Sequence, residues 1–343
     1  MHTQTLTARI SAVLACVVSV TACRALPPLA PRVGGGGHGG AKHAPSHPPI
    51  QAPVGIPNGS GPALNGCPIF PATNPWNTDI SKLSVRADST SIIANIQGSG
   101  ATSLHADFGG GGAYGIPFVS VPASTAKQTI HYTAYGNESD PGPFPIPPST
   151  PIEGGSSSSG DRHVIALQQG TCHLYELYRA FWNTNHWDAD AGVNWNLRSN
   201  ALRPLDWTSA DAAGLPIFPG LARFDETAAG AINHALRVTF AHTQRGYVLP
   251  ATHYASSSND PTRPAMGMRL RLKANFDLSP YHGASRVLLI AMQRYGLIVA
   301  DNGSNWFVSG ASDARWDDTD LNQIKKVPGS AFEVVNTGPV HTG

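Results

Sequence analysis

Beyond residue 67 the apolar and polar positions of this chain mostly alternate in short runs, and the runs stop at Gly, Pro, Asn or Asp. A two-residue period sends successive side chains to opposite faces, so it predicts strands rather than helices. Strand-like stretches cover 114–121, 128–135, 161–167, 171–179, 193–197, 236–240, 246–249, 268–273, 297–301 and 332–335. Residues 161–167 and 171–179 flank a Gln-Gln-Gly turn at 168–170 and predict a hairpin. In its second strand Cys172, Leu174, Glu176 and Tyr178 share one face. Both faces mix polar and apolar residues, so each strand is expected to be covered on one side and solvated on the other. Residues 268–273 alternate apolar with basic side chains and predict a half-buried strand. Asp301-Asn-Gly303 reads as a turn joining 297–301 to a hairpin partner at 306–309.

Helical spacing is confined to a few places. Ile92, Ile93 and Ile96 make one apolar face in 88–97, with Asp88 or Ser89 as cap and Gly98 as stop. Residues 284–295 form the longest helical pattern, closed by Gly296. In 317–326 acids precede lysines, as the helix dipole favours, and Asp225-Glu226 begins a shorter helix. Short strands, long Pro/Gly loops and few helices predict a mainly β single domain over 67–337. The expected form is a β-sandwich or jelly-roll-like fold with a few short peripheral helices.

The front of the chain has a different composition. Residues 1–22 carry Arg9 and then an apolar run, the plan of a secretory signal peptide. Small residues lead into Cys23, which resembles the lipidation site of bacterial lipoproteins; an ordinary signal peptide is the alternative. Residues 23–66 are dominated by Gly, Pro and His and predict a disordered linker. His38, His43 and His47 are expected to be solvated there rather than to hold a metal. The protein is therefore expected to be exported, either as a membrane-anchored lipoprotein of the periplasm or cell surface or as a secreted form. Cys67 and Cys172 remain for the domain, and an oxidising compartment predicts a disulfide between them, with two buried thiols as the alternative. Lys and Arg number 23 against 22 Asp and Glu, so no basic face for nucleic acid is expected.

Several stretches look familiar together: NTDI at 77–80, ESDPGP at 138–143, PIEGG at 151–155, GDRH at 160–163, LYELY at 174–178, the segment 198–237, and IVADNG at 298–303. With them the chain resembles an uncharacterised family of secreted bacterial proteins over nearly all of 67–337. The resemblance implies export and brings no activity or catalytic residue with it.

Candidate chemistry therefore comes from the residues. No Walker A loop, GxSxG elbow or HExxH helix is present. Asp161, His163 and Glu176 converge if the hairpin forms, and a carboxylate beside a His serves general acid–base work or a metal; a turn that ties down the strand start is the structural alternative. Arg223, Asp225, Glu226, His234 and Arg237 make a second group, and paired carboxylates flanked by Arg and His are the tools of glycoside hydrolysis. Adjacent acids rarely aim at one point, so Asp211, Glu176 or Asp301 is the better second carboxylate. His234, His253, Tyr254 and Arg269 would instead suit β-elimination on a uronate. Capping acids and a buried ion pair are the structural alternative. Asp301, Asp313, Asp317, Asp318 and Asp320 are turn and cap residues first, with calcium as the one cofactor their oxygens could take. Trp207 and Trp306, with the other loop-proximal tryptophans Trp182, Trp187, Trp195 and Trp316, either stack on sugar rings or fill the core.

The expectation is an exported, envelope-associated monomer acting on extracellular polysaccharide or cell-wall glycan, reaching the membrane only through its N-terminal lipid. A glycoside hydrolase or polysaccharide lyase stands against a non-catalytic glycan-binding or structural surface lipoprotein. The catalytic candidates are Glu226, Asp225, His234, Arg237, Asp211, Glu176, His253 and Asp301; the substrate-binding candidates are Asp161, His163, Trp207, Arg223, Arg269 and Trp306.

Overall fold

A computed structural model describes residues 61–342. The signal segment, Cys23 and the linker up to residue 60 lie outside the described residues. Regular structure starts before residue 67: strand β1 (Ala63–Leu64) pairs with β2 (Cys67–Pro68). It also continues past residue 337, where His341 pairs with Tyr247.

The fold is mainly β. A six-stranded mixed sheet has the order β15 (Phe332–Val335), β12 (Arg269–Leu272), β13 (Leu297–Asn302), β11 (Leu236–Phe240), β14 (Phe307–Val308), β3 (His105–Ala106). A four-stranded sheet runs β10 (Ala191–Asn196), β7 (His173–Tyr178), β6 (Val164–Gln168), β4 (Val119–Val121). A three-stranded sheet runs β5 (Thr129–Tyr132), β9 (His186–Ala189), β8 (Phe181–Asn183). The helices are short: α1 (Ser89–Gln97), α2 (Phe224–Ala228), α3 (Gly283–Arg294) and α4 (Asp318–Leu321). No helix among the described residues is long and apolar enough to cross a membrane.

The expected hairpin forms, with Leu167 opposite Leu174 and Ile165 opposite Glu176. Its solvated face does not exist. Ile165, Leu167 and Leu174 join the main core with Val238, Leu270 and Val299 of the six-stranded sheet. Val164, Ala166 and Leu177, on the other face, pack with Ile130, Phe144 and Trp187 of a second cluster. A strand covered on both sides tolerates a polar residue only where a partner waits, and Glu176 is such a case. Its carboxylate accepts from Ile217 N (3.0 Å), Phe218 N (2.8 Å) and Trp195 Nε1 (3.0 Å).

The basic positions of β12 are likewise buried rather than solvated. The Arg269 guanidinium donates to the carbonyls of Pro75 (2.7 Å), Thr78 (3.4 Å) and Tyr295 (2.5 Å). Burial without a contacting carboxylate pulls it down to about 9, with Asp79 opposing. Arg271 pairs with Glu333 and donates to Ile80 O at 2.7 Å. Both arginines pin the entry segment around residues 75–83 to the sheet. Strand β14 is not the hairpin partner of β13; β11 lies between them, parallel to β13 and antiparallel to β14. The run 246–249 forms no strand, because Tyr247 makes only isolated bridges to Met266 and His341.

Cys67 and Cys172 are disulfide-bonded, with 5.2 Å between Cα atoms, across a separation of 105 residues. Loop-closure entropy of that size stabilises by about 5 kcal/mol. The double variant Cys67→Ser/Cys172→Ser is expected to lose roughly 3–5 kcal/mol in urea unfolding. A loss below ~1 kcal/mol would mean that the bridge constrains little.

Candidate carboxylate site at the strand bulge

Strands β11 and β13 run parallel with Arg237 beside Ile298 and Val238 beside Val299, and then the register slips so that Thr239 lies beside Asp301. Ala300 is the extra residue. Residues paired across a sheet share a face, and a slip of one residue exchanges faces. Without the slip Asp301 would point away from the Arg237 side of the sheet. With it, Asp301 joins that side at the C-terminal end of its strand. The irregularity is held from outside by Ala213 N, which donates to Ala300 O at 3.2 Å.

Arg237 is buried, and every terminal nitrogen is engaged. Nε and Nη2 grip Asp211 at 2.7 and 3.0 Å, Nη1 donates to Ser309 Oγ at 2.8 Å, and Nη2 reaches Asp301 Oδ2 at 3.5 Å. Burial would lower the arginine, but Asp211, Asp301 and Glu153 outweigh it and hold it above its ordinary value. Asp211 stands in a tight loop in which Ser209 Oγ accepts from Asp211 N at 2.9 Å and donates to Leu215 O at 2.6 Å.

Asp301 differs from Asp211 in that its side chain remains 25% exposed. Burial and the Asp211 carboxylate push it up to about 7, Asp161 adds to the rise, and Arg237 and the Asn302 N–H oppose it. Around it are Asp161, exposed and near enough to repel it, and Tyr178, half-buried and raised by burial and by Asp161. His163 is buried, with Nδ1 2.6 Å from Glu153 Oε2 and Nε2 3.0 Å from Ala210 O. Burial works against its charge, yet Glu153 and then Asp161 raise it to about 9. Asp107 is solvent-accessible but walled in: burial and Glu153 raise its carboxyl, and Arg237 opposes them. The result is a cluster in which Arg237 and His163 are buried, each against its own carboxylate, while Asp107, Asp161 and Asp301 reach solvent nearby.

The expected hairpin cluster is thus rearranged. His163 takes Glu153, not Glu176, as its carboxylate, and Glu176 is turned into the core. The second expected group splits. Asp211, Arg237 and Asp301 meet, whereas Glu226, His234 and Arg223 form a separate buried network. In it His234 Nε2 lies 3.0 Å and Arg223 Nη2 2.7 Å from Glu226, which these two hold below its ordinary value against burial. Asp225 is buried beside Arg223 at 3.5 Å and is raised by burial. Neither Asp225 nor Glu226 reaches solvent enough to meet a polymer. Arg269 and Trp306 serve the fold: the indole of Trp306 is buried and donates to Gln97 Oε1 at 3.1 Å. His253 is half-buried and rests on the Asp211 loop, Nδ1 2.7 Å from Ala212 O. Trp207 is half-buried, 5.7 Å from the Arg203 guanidinium, and Trp182 is also partly open; Trp187, Trp195 and Trp316 are core. The acids at the C-terminal end are occupied as caps. Asp317 accepts from Thr319 N, Asp318 from Gly110 N, and Asp320 from Ala284 N and Ser285 N.

Asp107, Glu153, Tyr178 and Ser309 belong to the site without having been singled out as candidates. Glu153 and Asp107 stand in Gly-rich loops, where no periodicity points to a partner. A surface depression of about 600 Å³ lined by Arg86, Asp88, Asn336 and neighbours offers only the internal Arg86–Asp88 pair. No family model, curated protein or solved structure matches the chain.

Arg237→Leu leaves Asp211 buried without its partner and is expected to cost about 3–5 kcal/mol of folding stability. Chemical denaturation measures it, and a cost under ~1 kcal/mol would show that Asp211 finds another counter-charge. A second test concerns His163. Its folded value of about 9 lies above the ordinary 6.5, so its contribution is complete below pH 6.5 and fades as pH rises through 9. His163→Gln is expected to flatten the stability–pH slope in that window, and an unchanged slope would assign it to other groups.

Proposed function

We propose that the protein is an exported glycoside hydrolase of extracellular or cell-wall polysaccharide, with Asp301 as proton donor. The supporting observation is Asp301 itself: a solvent-reaching carboxyl, raised to about 7 by burial and Asp211, among further surface carboxylates. Glycosidic cleavage needs one carboxylic acid to protonate the leaving oxygen and a second carboxylate to act as base or nucleophile. Asp161 and Asp107 are the partners in this reading. Arg237 and Asp211 position the acid and do not touch substrate, since both are buried. Trp207 and His253, both half-buried, are candidate sugar contacts.

The elimination chemistry of a lyase has less support. His234 and Arg269 are buried in separate networks and cannot meet a uronate. A non-catalytic glycan-binding role is the second reading, and partly exposed Trp182 beside exposed Phe181 favours it, because such rings stack on sugars. In either role a lipid on Cys23 would hold the domain close to the envelope glycan.

A panel of polysaccharides is expected to yield new reducing ends without unsaturated uronate absorbance. Asp301→Asn should lower turnover by about 10²–10⁴ with glycan binding retained. Because the donor must carry its proton, turnover should fall as pH rises through about 7. Glycan binding with no product from the unmodified protein would move the assignment to a binding module.

A further inference from the structure

We infer that the three-stranded sheet carries a divalent transition-metal site formed by His131, His186 and Asp188. None of these belongs to the carboxylate site. The topology explains their meeting. Strands β5 and β9 run parallel with Thr129 beside His186, Ile130 beside Trp187 and His131 beside Asp188. Ile130 and Trp187 point into the second apolar cluster, and the two-residue period sends His131, His186 and Asp188 together to the outer face. A ligand atom from each lies within 4.8 Å of the others.

The local geometry favours an electrophile between them. Asp188 Oδ1 is 3.2 Å from His186 Nε2 and 3.9 Å from His131 Nδ1. The two imidazoles lie against each other with centroids 4.1 Å apart, an arrangement two cationic rings would resist. His186 Nδ1 is 2.9 Å from Asn185 Oδ1. When Nδ1 donates that bond, the bare lone pair of Nε2 faces a carboxylate oxygen that also lacks a proton. A cation bound by both atoms resolves the conflict. The far nitrogen of a metal-bound histidine ordinarily makes such a bond, which fixes the tautomer and turns the ring. Asn183 Nδ2 steadies the other Asp188 oxygen at 3.3 Å.

Two imidazoles and one carboxylate select borderline metals such as Zn²⁺ over the harder Ca²⁺ and Mg²⁺. Tetrahedral bonds of about 2.0–2.1 Å need ligand atoms roughly 3.3 Å apart, a small closing motion for side chains that reach solvent. Three protein ligands leave a fourth position for water or an exogenous ligand.

Equilibrium dialysis of the full chain against Zn²⁺ tests the site, with His2, His38, His43 and His47 changed to Ala in every sample so that the N-terminal histidines cannot contribute. The expected result is one equivalent of Zn²⁺, no uptake of Ca²⁺ or Mg²⁺, at least ~10-fold weaker binding in His131→Ala/His186→Ala, and about 10-fold weaker binding in Asn185→Ala. The ligand side chains reach the surface, so both variants are expected to unfold at the same temperature as the parent without metal. Absence of uptake by the parent, or undiminished uptake by the double histidine variant, overturns the inference.

Discussion

A guanidinium buried among carboxylates organises this domain. Arg237 lies in the central strand of a mixed sheet, where an unpaired charge would be prohibitive, so the surrounding chain has to come to it. Asp211 supplies a two-point grip from a loop 26 residues earlier, Ser309 arrives from the neighbouring antiparallel strand, and Asp301 comes from the parallel strand on the other side. Each of these contacts ties a long connection to the sheet. The bulge at Ala300 is the local adjustment that lets the third contact form.

The same arrangement separates the acids chemically. Asp211 is sequestered and takes the bidentate contact, while Asp301 receives only a long one and keeps an opening to solvent. Weakly compensated and near a second carboxylate, Asp301 holds its proton above the ordinary carboxylate range. Nearby, His163 is buried and held charged by the partly exposed Glu153. The glycan-cleaving role proposed above rests on this asymmetry, since a proton donor must be buried enough to keep its proton and exposed enough to deliver it.

Buried polar groups elsewhere do structural work. Glu176, Arg269 and Arg271 each bind backbone groups of irregular segments that lack a ladder of their own, and Arg271 also pairs with Glu333. This explains why the segment from Arg198 to Arg237 is so rich in polar residues: Arg203 donates to Thr208 O, the Glu176 carboxylate collects the amides of Ile217 and Phe218, and Asp211 meets Arg237. Most of that polarity anchors irregular backbone, and its Asp211 and Arg237 enter the candidate site.

The sequence by itself determined the class of fold and most of the regular elements. Short apolar-rich runs marked 236–240, 297–301 and 332–335, the spacing of Ile92, Ile93 and Ile96 marked the first helix, and two cysteines marked the bridge. These depend on local periodicity and on export chemistry, both visible without coordinates. Tertiary structure alone decided which faces were covered, since the burial of Arg269, Arg271 and Glu176 depends on segments remote in the chain. It also decided the site. Asp211 and Arg237 were legible as a carboxylate and a cation, but a one-residue slip at Ala300 determined that Asp301 would join them, and loop packing brought Glu153 to His163. Face assignment and loop docking depend on contacts between distant residues, which no local pattern records.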